Sequence, residues 1–268
     1  MIGASRESLA TVRARLDELA DAPGFTDLPD ELRAVATLLG RETQLRNTLS
    51  DGGSPLAVRT GIVSRLLSGK VSDLAVGLVV DVVSQRWSSA RDMVDAVELL
   101  GSEAAFVTAE REGRLDTVEN ELFAFGRAYD ASPDLQLTLS DPAVPAERKV
   151  AVVQQLLAGR AEPETLDAVR HVVADPRGRK VEAAVEELVS LAAIRRERLV
   201  AVATVARPLD DDQRTRLTAA LARIYAQNVD LHVVLDPAVV GGVRIDVGDE
   251  VIDGTIAHRL EQVRRLVG

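Results

Sequence analysis

The chain has 268 residues, enough to bury a sizeable core in one or two domains. Its formal net charge of −10 argues against nucleic acid or an anionic membrane as a partner, and the absence of cysteine excludes disulfides, thiol nucleophiles and thiolate metal sites. Hydrophobic residues make up 46% of the chain but aromatic residues only 3%, so the core must consist of Leu, Val and Ala, which favours closely packed helices.

The chain begins with a series of amphipathic helices in which apolar residues recur every three or four positions. Asp81 interrupts the longest apolar run, Leu74–Val83, which is far shorter than the ~20 residues that span a bilayer. We therefore expect no direct insertion into a membrane. The predicted helices are Ser5–Leu19, Asp30–Leu39, Pro55 to near Gly69, Asp73–Arg86 and Ala90–Leu100.

The helical pattern is then repeated at a constant spacing. The segment Thr48–Asp51 recurs as Thr138–Asp141, and the match extends on both sides without a gap at a spacing of roughly 90 residues, longer than a helical repeat unit of ~34 to 47 residues. The spacing predicts two consecutive helical bundles, the second ending near Arg198. Helix Ala90–Leu100 stands at the end of the first copy and at the start of the second, which allows the bundles to share it. Further matched pairs are Pro55 with Pro145, Gly69 with Gly159, and Val82-Val83 with Val172-Val173.

The composition changes after Arg198. Leu199–Ala206 is a short run of Val and Ala that predicts a buried strand, and Val229–Leu235 alternates apolar and polar residues as the next strand. Between them, Asp210–Gln227 predicts a helix whose first turn has an Asp210-to-Gln213 capping arrangement. Residues 199–268 are therefore predicted to form a separate α/β domain.

The last part of this domain is predicted to be a hairpin followed by a helix. Gly241-Gly242 opens a turn, Val243–Val247 alternates as a strand, and Gly248-Asp249 is a tight connection to a second strand. Asp253 or Thr255, on either side of Gly254, can cap a closing helix. The predicted fold is thus mainly α with a small C-terminal α/β part: two helical bundles followed by a strand-helix-strand-hairpin-helix unit.

These closing residues resemble the C-terminal signature of the F-type ATP synthase delta subunit family, whose mitochondrial counterpart is the oligomycin sensitivity conferral protein. In that signature a glycine pair, a short strand, Gly-Asp and Ile-Asp-Gly-Ser precede a closing helix, and Thr255 keeps the hydroxyl of the usual serine. The resemblance is carried by Gly241, Gly242, Gly248, Asp249, Asp253, Gly254 and Thr255.

The resemblance implies a non-catalytic connector in the peripheral stalk of the ATP synthase. In the family, a six-helix domain contacts the N-termini of the alpha subunits, the C-terminal part holds the b subunit, and the connector resists rotor torque. The resemblance assigns residues 89–198 to that helical domain and leaves residues 1–88 as an extra partial copy. It also implies one copy per complex, bound peripherally at the cytoplasmic face of the plasma membrane.

The resemblance further predicts that an alpha-subunit N-terminal helix binds in a groove of the second copy. We expect this groove between Ala90–Leu100 and Leu166–Val173, and we expect the first copy to serve as a spacer or a stalk contact. On helical periodicity alone, a position in the core is favoured over groove lining for each candidate residue. The candidates are Met93, Val94, Val97, Leu166, Val169 and Val173.

No catalytic, metal or cofactor site is predicted. His171, His232 and His258 lie in three different elements without metal-ligand spacing. The carboxylates around Asp246 and Asp249 lack the calcium-loop spacing and suit turns and caps.

Two other classes of function stay open on the residues alone. One is an acidic helical adaptor or regulatory protein unrelated to ATP synthase, which would have the same composition. The other is an enzyme whose carboxylates, such as Asp246 and Asp249, were not recognised.

Overall fold

The computed structural model describes residues 3–196, 199–225, 229–236, 239, 241–247 and 250–253. The chain divides into two compact units, one up to residue 193 and one from residue 194 onward. The first unit is built of helices, and the second contains a four-stranded sheet. This is the predicted mainly α fold with a small C-terminal α/β part, which is thereby confirmed.

The helices of the first unit follow one another with short connections, and a short 3₁₀ helix, Phe25–Asp27, precedes the second of them. None of the helices within the described ranges is long and apolar enough to cross a membrane. In chain order they are α1 (Ala4–Glu18), α2 (Leu28–Arg41), α3 (Thr43–Ser50), α4 (Leu56–Leu67), α5 (Asp73–Ser84), α6 (Ala90–Arg111), α7 (Leu115–Ala131), α8 (Pro133–Ser140), α9 (Ala146–Leu157), α10 (Pro163–Ala174) and α11 (Val181–Arg196).

The helix positions and several matching contacts follow the predicted repeat. Helices α3, α4 and α5 recur as α8, α9 and α10 at a constant spacing of about 90 residues. Arg46 Nη1 donates to the carbonyl of Gly40 at 2.8 Å, and Gln136 Nε2 donates to the carbonyl of Asp130 at 2.9 Å. Different side chains therefore perform the same C-terminal capping in the two copies.

Helix α6 belongs to both bundles, because it occupies the last helix position of the first and the first position of the second. The helix was expected to end at Leu100 but continues to Arg111. The sequence beyond Leu100 consists largely of small residues, which show no apolar period yet pack closely. A Cβ on Gly101 would lie 3.2 Å from the carbonyl oxygen of Pro29 in α2, so this glycine permits a near contact of the two helices.

The second unit contains strands β1 (Leu199–Val205), β2 (Val229–Leu235), β3 (Val243–Val247) and β4 (Glu250–Asp253), with helix α12 (Asp211–Tyr225) between β1 and β2. The strand order is β2-β1-β3-β4. Strand β1 pairs parallel with β2 and antiparallel with β3, and β3 pairs antiparallel with β4. A small separate core fills this unit, formed by Ala201, Ala203, Leu221, Leu231, Ile245 and Val247.

The predicted capping arrangement of α12 is present in both directions. The backbone N–H of Gln213 donates to Asp210 Oδ1 at 2.7 Å, and the backbone N–H of Asp210 donates to Gln213 Oε1 at 3.1 Å. Two otherwise unsatisfied donors at the helix start are thus paired.

Candidate functional site

The six predicted partner-binding residues lie in α6 and α10. Five of them are buried: Met93, Val94, Val97, Val169 and Val173. Leu166 is partly buried and packs against the same core. Their side chains therefore pack α6 and α10 into the helical unit, and only Leu166 presents part of its surface to solvent.

Helix α6 is covered because it lies between the two bundles. Every side chain from Met93 to Val107 except Asp95 is buried. Helix α2 of the first copy packs against it through Leu32 and Arg33, close to Gly101. The positive charge of Arg33 also acts on Asp167 and His171 of α10, so α2 lies near both helices of the expected groove.

The equivalent helix pair of the first bundle, α1 and α5, is more exposed. Asp81 of α5 lies 3.4 Å from Arg15 Nε of α1, and both side chains are partly in solvent. Gly77 precedes Asp81 by one helical turn, so it lies on a neighbouring part of the same α5 surface. Gly77 is exposed and a Cβ at this position would meet no atom within 4 Å, while Leu74 is half-buried.

A network of buried charges surrounds Glu98 in the middle of α6. The Glu98 carboxylate pairs with Arg177, with Arg179 Nη2 at 2.6 Å and with His171 Nε2 at 3.5 Å. Because the arginines belong to the connection between α10 and α11, the network joins this connection to the shared helix. The sequence offers one signal for it: Glu98 follows Val94 at helical spacing, on a side of α6 that is otherwise apolar.

Burial and charge shift the pKa values of two members of this network. Burial, reinforced by the positive charge of Arg33, lowers the pKa of His171 from 6.5 to about 4. Burial also lowers the pKa of Arg177 to about 10, despite the attraction of Asp95. At neutral pH His171 is therefore an uncharged imidazole and Arg177 is a cation.

The other histidines and carboxylates are not assembled into a reactive site among the described residues. Asp246 accepts from Arg244 Nη2 at 3.1 Å on β3. The side chain of His232 and all of His258 and Asp249 lie outside the described residues. Within those residues, no group of three or more His, Asp or Glu side chains could hold a metal ion.

The signature residues are described in part. Gly241 and Gly242 have φ angles of 101° and 86°, a region that side-chain-bearing residues rarely adopt, and they lead into β3. The backbone of Asp253 pairs opposite Arg244 at the end of β4. Gly248, Asp249, Gly254, Thr255 and the predicted closing helix lie outside the described residues.

The fold and its surfaces define a class of protein: a helical-repeat protein joined to a small α/β unit, in which the notable side-chain clusters join helices to one another. A family model described as "ATP synthase delta (OSCP) subunit" matches residues 102–267, a range that begins inside α6.

Curated relatives named "ATP synthase subunit delta" match over nearly the whole chain. The one from Streptomyces avermitilis is 46% identical over 98% of this chain and 97% of its own length. Relatives from Parafrankia sp. and Acidothermus cellulolyticus are 44% and 42% identical over 99% of this chain, and over 99% and 98% of their own lengths. A chain of the Toxoplasma gondii mitochondrial ATP synthase hexamer has 20% identity over 62% of this chain and 94% of its own length, with a TM-score of only 0.28 that carries no argument.

The chain belongs to the ATP synthase delta (OSCP) subunit family. It is a non-catalytic component of the peripheral stalk, and its partners are other subunits of an ATP synthase. The family resemblance drawn from the closing residues is confirmed, and the two alternative classes, an unrelated adaptor and an enzyme, are set aside.

Proposed function

We propose that this protein connects the alpha subunits of the catalytic head to the b subunit and resists rotor torque during proton-driven ATP synthesis. The relatives named as delta subunits over nearly the full chain carry this proposal. In it, one copy per complex lies peripherally at the cytoplasmic face of the plasma membrane. The helical unit contacts alpha and the C-terminal unit contacts b.

The shared helix suits a part that transmits load. Because α6 is a member of both bundles, no flexible linker separates them, and the Glu98 network ties α6 to the connection between α10 and α11. A force applied to one bundle therefore acts on the other through continuous helix packing. We assign residues 89–198 to the helical domain common to the family and residues 1–88 to an added partial copy, which the start of the family match at residue 102 supports.

We place the alpha-subunit N-terminal helix on the α1–α5 surface of the first bundle, around Leu74, Gly77 and Asp81. The sequence favoured the equivalent pair α6 and α10, whose candidate side chains are almost all buried. On α5, the exposed Gly77 lets a partner helix approach closely, and Leu74 offers an apolar contact. Arg15 and Asp81 can pair with charges on the polar side of that helix.

The test is to titrate an alpha-subunit N-terminal peptide against the full-length chain and two matched variants. Gly77→Gln adds a side chain to the proposed surface, and Gly61→Gln adds the same side chain to α4, where a Cβ also meets open space. We expect Gly77→Gln to weaken binding by about tenfold or more and Gly61→Gln to bind like the unaltered chain. Equal affinity for both variants would move the site away from α5.

The connector role as a whole has its own test, which is affinity purification of the tagged chain from native membranes. We expect alpha and b to be recovered with it, in amounts that indicate one copy of this chain per complex. Recovery without b, under conditions that keep the b subunit in the complex, would contradict the proposed connection.

A further inference from the structure

The second bundle carries a groove whose lining residues can be compared, through the repeat, with the equivalent residues of the first bundle. A groove of about 640 Å³ lies between α7, α8 and α9 of the second bundle. We call it the α7–α9 groove, and its apolar lining includes Ala124, Phe125, Ala128, Leu135, Val152 and Leu156. It is separate from the α1–α5 surface and from the Glu98 network.

Small residues open this groove. At the positions equivalent to Ala128, Val152 and Ala161, the first bundle has Leu38, Ile62 and Val71, each a larger side chain. Ile62 and Val71 pack against the core of the helical unit. Phe125 is larger than its equivalent Val35, but its side chain is only 4% exposed, so it lies at the bottom of the groove and does not occupy it. At these three positions the first bundle thus carries more side-chain volume than the second bundle.

The apolar lining is exposed to solvent. Leu156 is 41% exposed, and Ala124 and Ala128 are exposed on the adjacent side of α7. A concave apolar surface of this kind in a protein that works inside an assembly indicates a place for a partner's apolar side chains.

The walls of the groove select the kind of partner. The three walls, α7, α8 and α9, are helices, and their backbone donors and acceptors are hydrogen-bonded within the helices. An extended strand of a partner therefore has no free backbone groups to pair with. An amphipathic helix satisfies its own backbone and presents an apolar stripe. A lipid headgroup finds no basic cluster here, because Arg160 is accompanied by the acidic Asp134 and Glu121.

We propose that the α7–α9 groove binds an amphipathic helix from another subunit of the ATP synthase, as a docking surface additional to α1–α5. A large apolar side chain of that helix fills the space above Ala128. Asp134 and Arg160 line the groove and form no ion pair with any other described residue, so they can pair with a base and an acid on the partner. The inference rests on membership of the complex and not on where the alpha subunit binds.

The experiment places a photoreactive benzophenone amino acid at Ala124 of the full-length chain within the assembled, purified ATP synthase. The matched control carries it at Ala34, the equivalent exposed alanine of the first bundle. We expect an adduct from Ala124 with another subunit, mapped to a peptide with apolar residues at helical spacing, and little or none from Ala34. No adduct, equal adducts from both positions, or an adduct with a second copy of this chain would overturn the proposal.

A second variant fills the groove. Ala128→Leu with Ala161→Val introduces the residues that the first bundle already accommodates, so the chain should fold with an unchanged or higher melting temperature. We expect the Ala124 adduct to fall by about tenfold in this background. An undiminished adduct in the filled variant would show that the partner helix does not occupy the groove.

Discussion

Glu31 and Glu121 hold the same place in the two bundles, and each closes the start of the helix that packs beside it. Glu31 accepts from the backbone N–H of Ser72 at 2.7 Å, ahead of α5. Glu121 accepts from the backbone N–H of Glu162 at 2.9 Å and from Thr165 Oγ1 at 2.6 Å, at the start of α10. The carboxylate therefore serves as a cap supplied from another helix, and the repeat has kept it.

Replacement of Glu121 by Ala should destabilise the helical unit by about 1–3 kcal/mol, because it leaves the N–H of Glu162 and the hydroxyl of Thr165 without their acceptor. Urea unfolding of the full-length chain measures the loss. Glu42→Ala is the control, since Glu42 is exposed and makes no side-chain cap bond. Equal unfolding midpoints for the two variants would contradict the role assigned to Glu121.

His171 should make stability fall as the pH is lowered. Its pKa in the folded chain is about 4 and its ordinary value is 6.5, so between these values the unfolded state binds a proton that the folded state does not. His171 therefore contributes nothing to the free energy of unfolding well above pH 6.5, and it lowers that free energy by up to about 3 kcal/mol at pH 4.

The measurement is the difference in unfolding free energy between the unaltered chain and His171→Gln, which has no imidazole to titrate. We expect the unaltered chain to lose stability relative to the variant as the pH falls from 7 to 4, most steeply below about 6.5. Parallel stability curves for the two proteins would show that the imidazole is not held neutral.

Gly101 should tolerate no large side chain, although Gly61 should. A Cβ on Gly101 would lie 3.3 Å from Arg33 Cγ and 3.4 Å from Leu32 Cβ, so Gly101→Leu forces α2 and α6 apart. We expect a loss of about 1–3 kcal/mol. Gly61→Leu points into open space on α4 and should be stabilising by about 0.8 kcal/mol, because leucine is the better helix former. Thermal unfolding compares the pair, and a stabilised Gly101→Leu would contradict the close contact.

The positions of most helices and strands follow from the sequence because apolar periodicity and breaker residues are local signals. The length of α6 did not, since the small residues after Leu100 show no period. The sequence also did not predict that the expected groove is buried, because this burial depends on α2, which comes from a distant part of the chain and packs against α6. Ile224 illustrates the same limit. It follows Leu217 and Leu221 at helical spacing, yet it is 67% exposed, whereas Leu221 is 2% exposed and lies in the core beside the sheet.

The difference between the two bundles could be found in the sequence only once the repeat was aligned. Replacement of Leu38 by Ala128 is visible in that alignment, yet only the packing of α7, α8 and α9 shows that no neighbouring side chain fills the space. The sequence likewise places Glu98 on an apolar side of α6 but gives no sign that Arg177 and Arg179 meet it, since this depends on how the connection after α10 folds back.

Removal of the Glu98 carboxylate should be the most damaging of these changes. Its side chain is 5% exposed, and those of its partners Arg177 and Arg179 are 13% and 24% exposed. Glu98→Ala leaves Arg177 with Asp95 at 3.5 Å and Arg179 with Glu187 at 2.8 Å as their remaining counterions, both more exposed than Glu98. We therefore expect a loss of about 3 kcal/mol, the lower end of the range typical of a broken buried ion pair. Glu18→Ala is the control, because it removes an exposed pair with Arg15 and should cost about 0.5 kcal/mol or less. Urea unfolding at neutral pH compares the two variants. A loss for Glu98→Ala no larger than that for Glu18→Ala would mean that the network does not hold the α10–α11 connection to the shared helix.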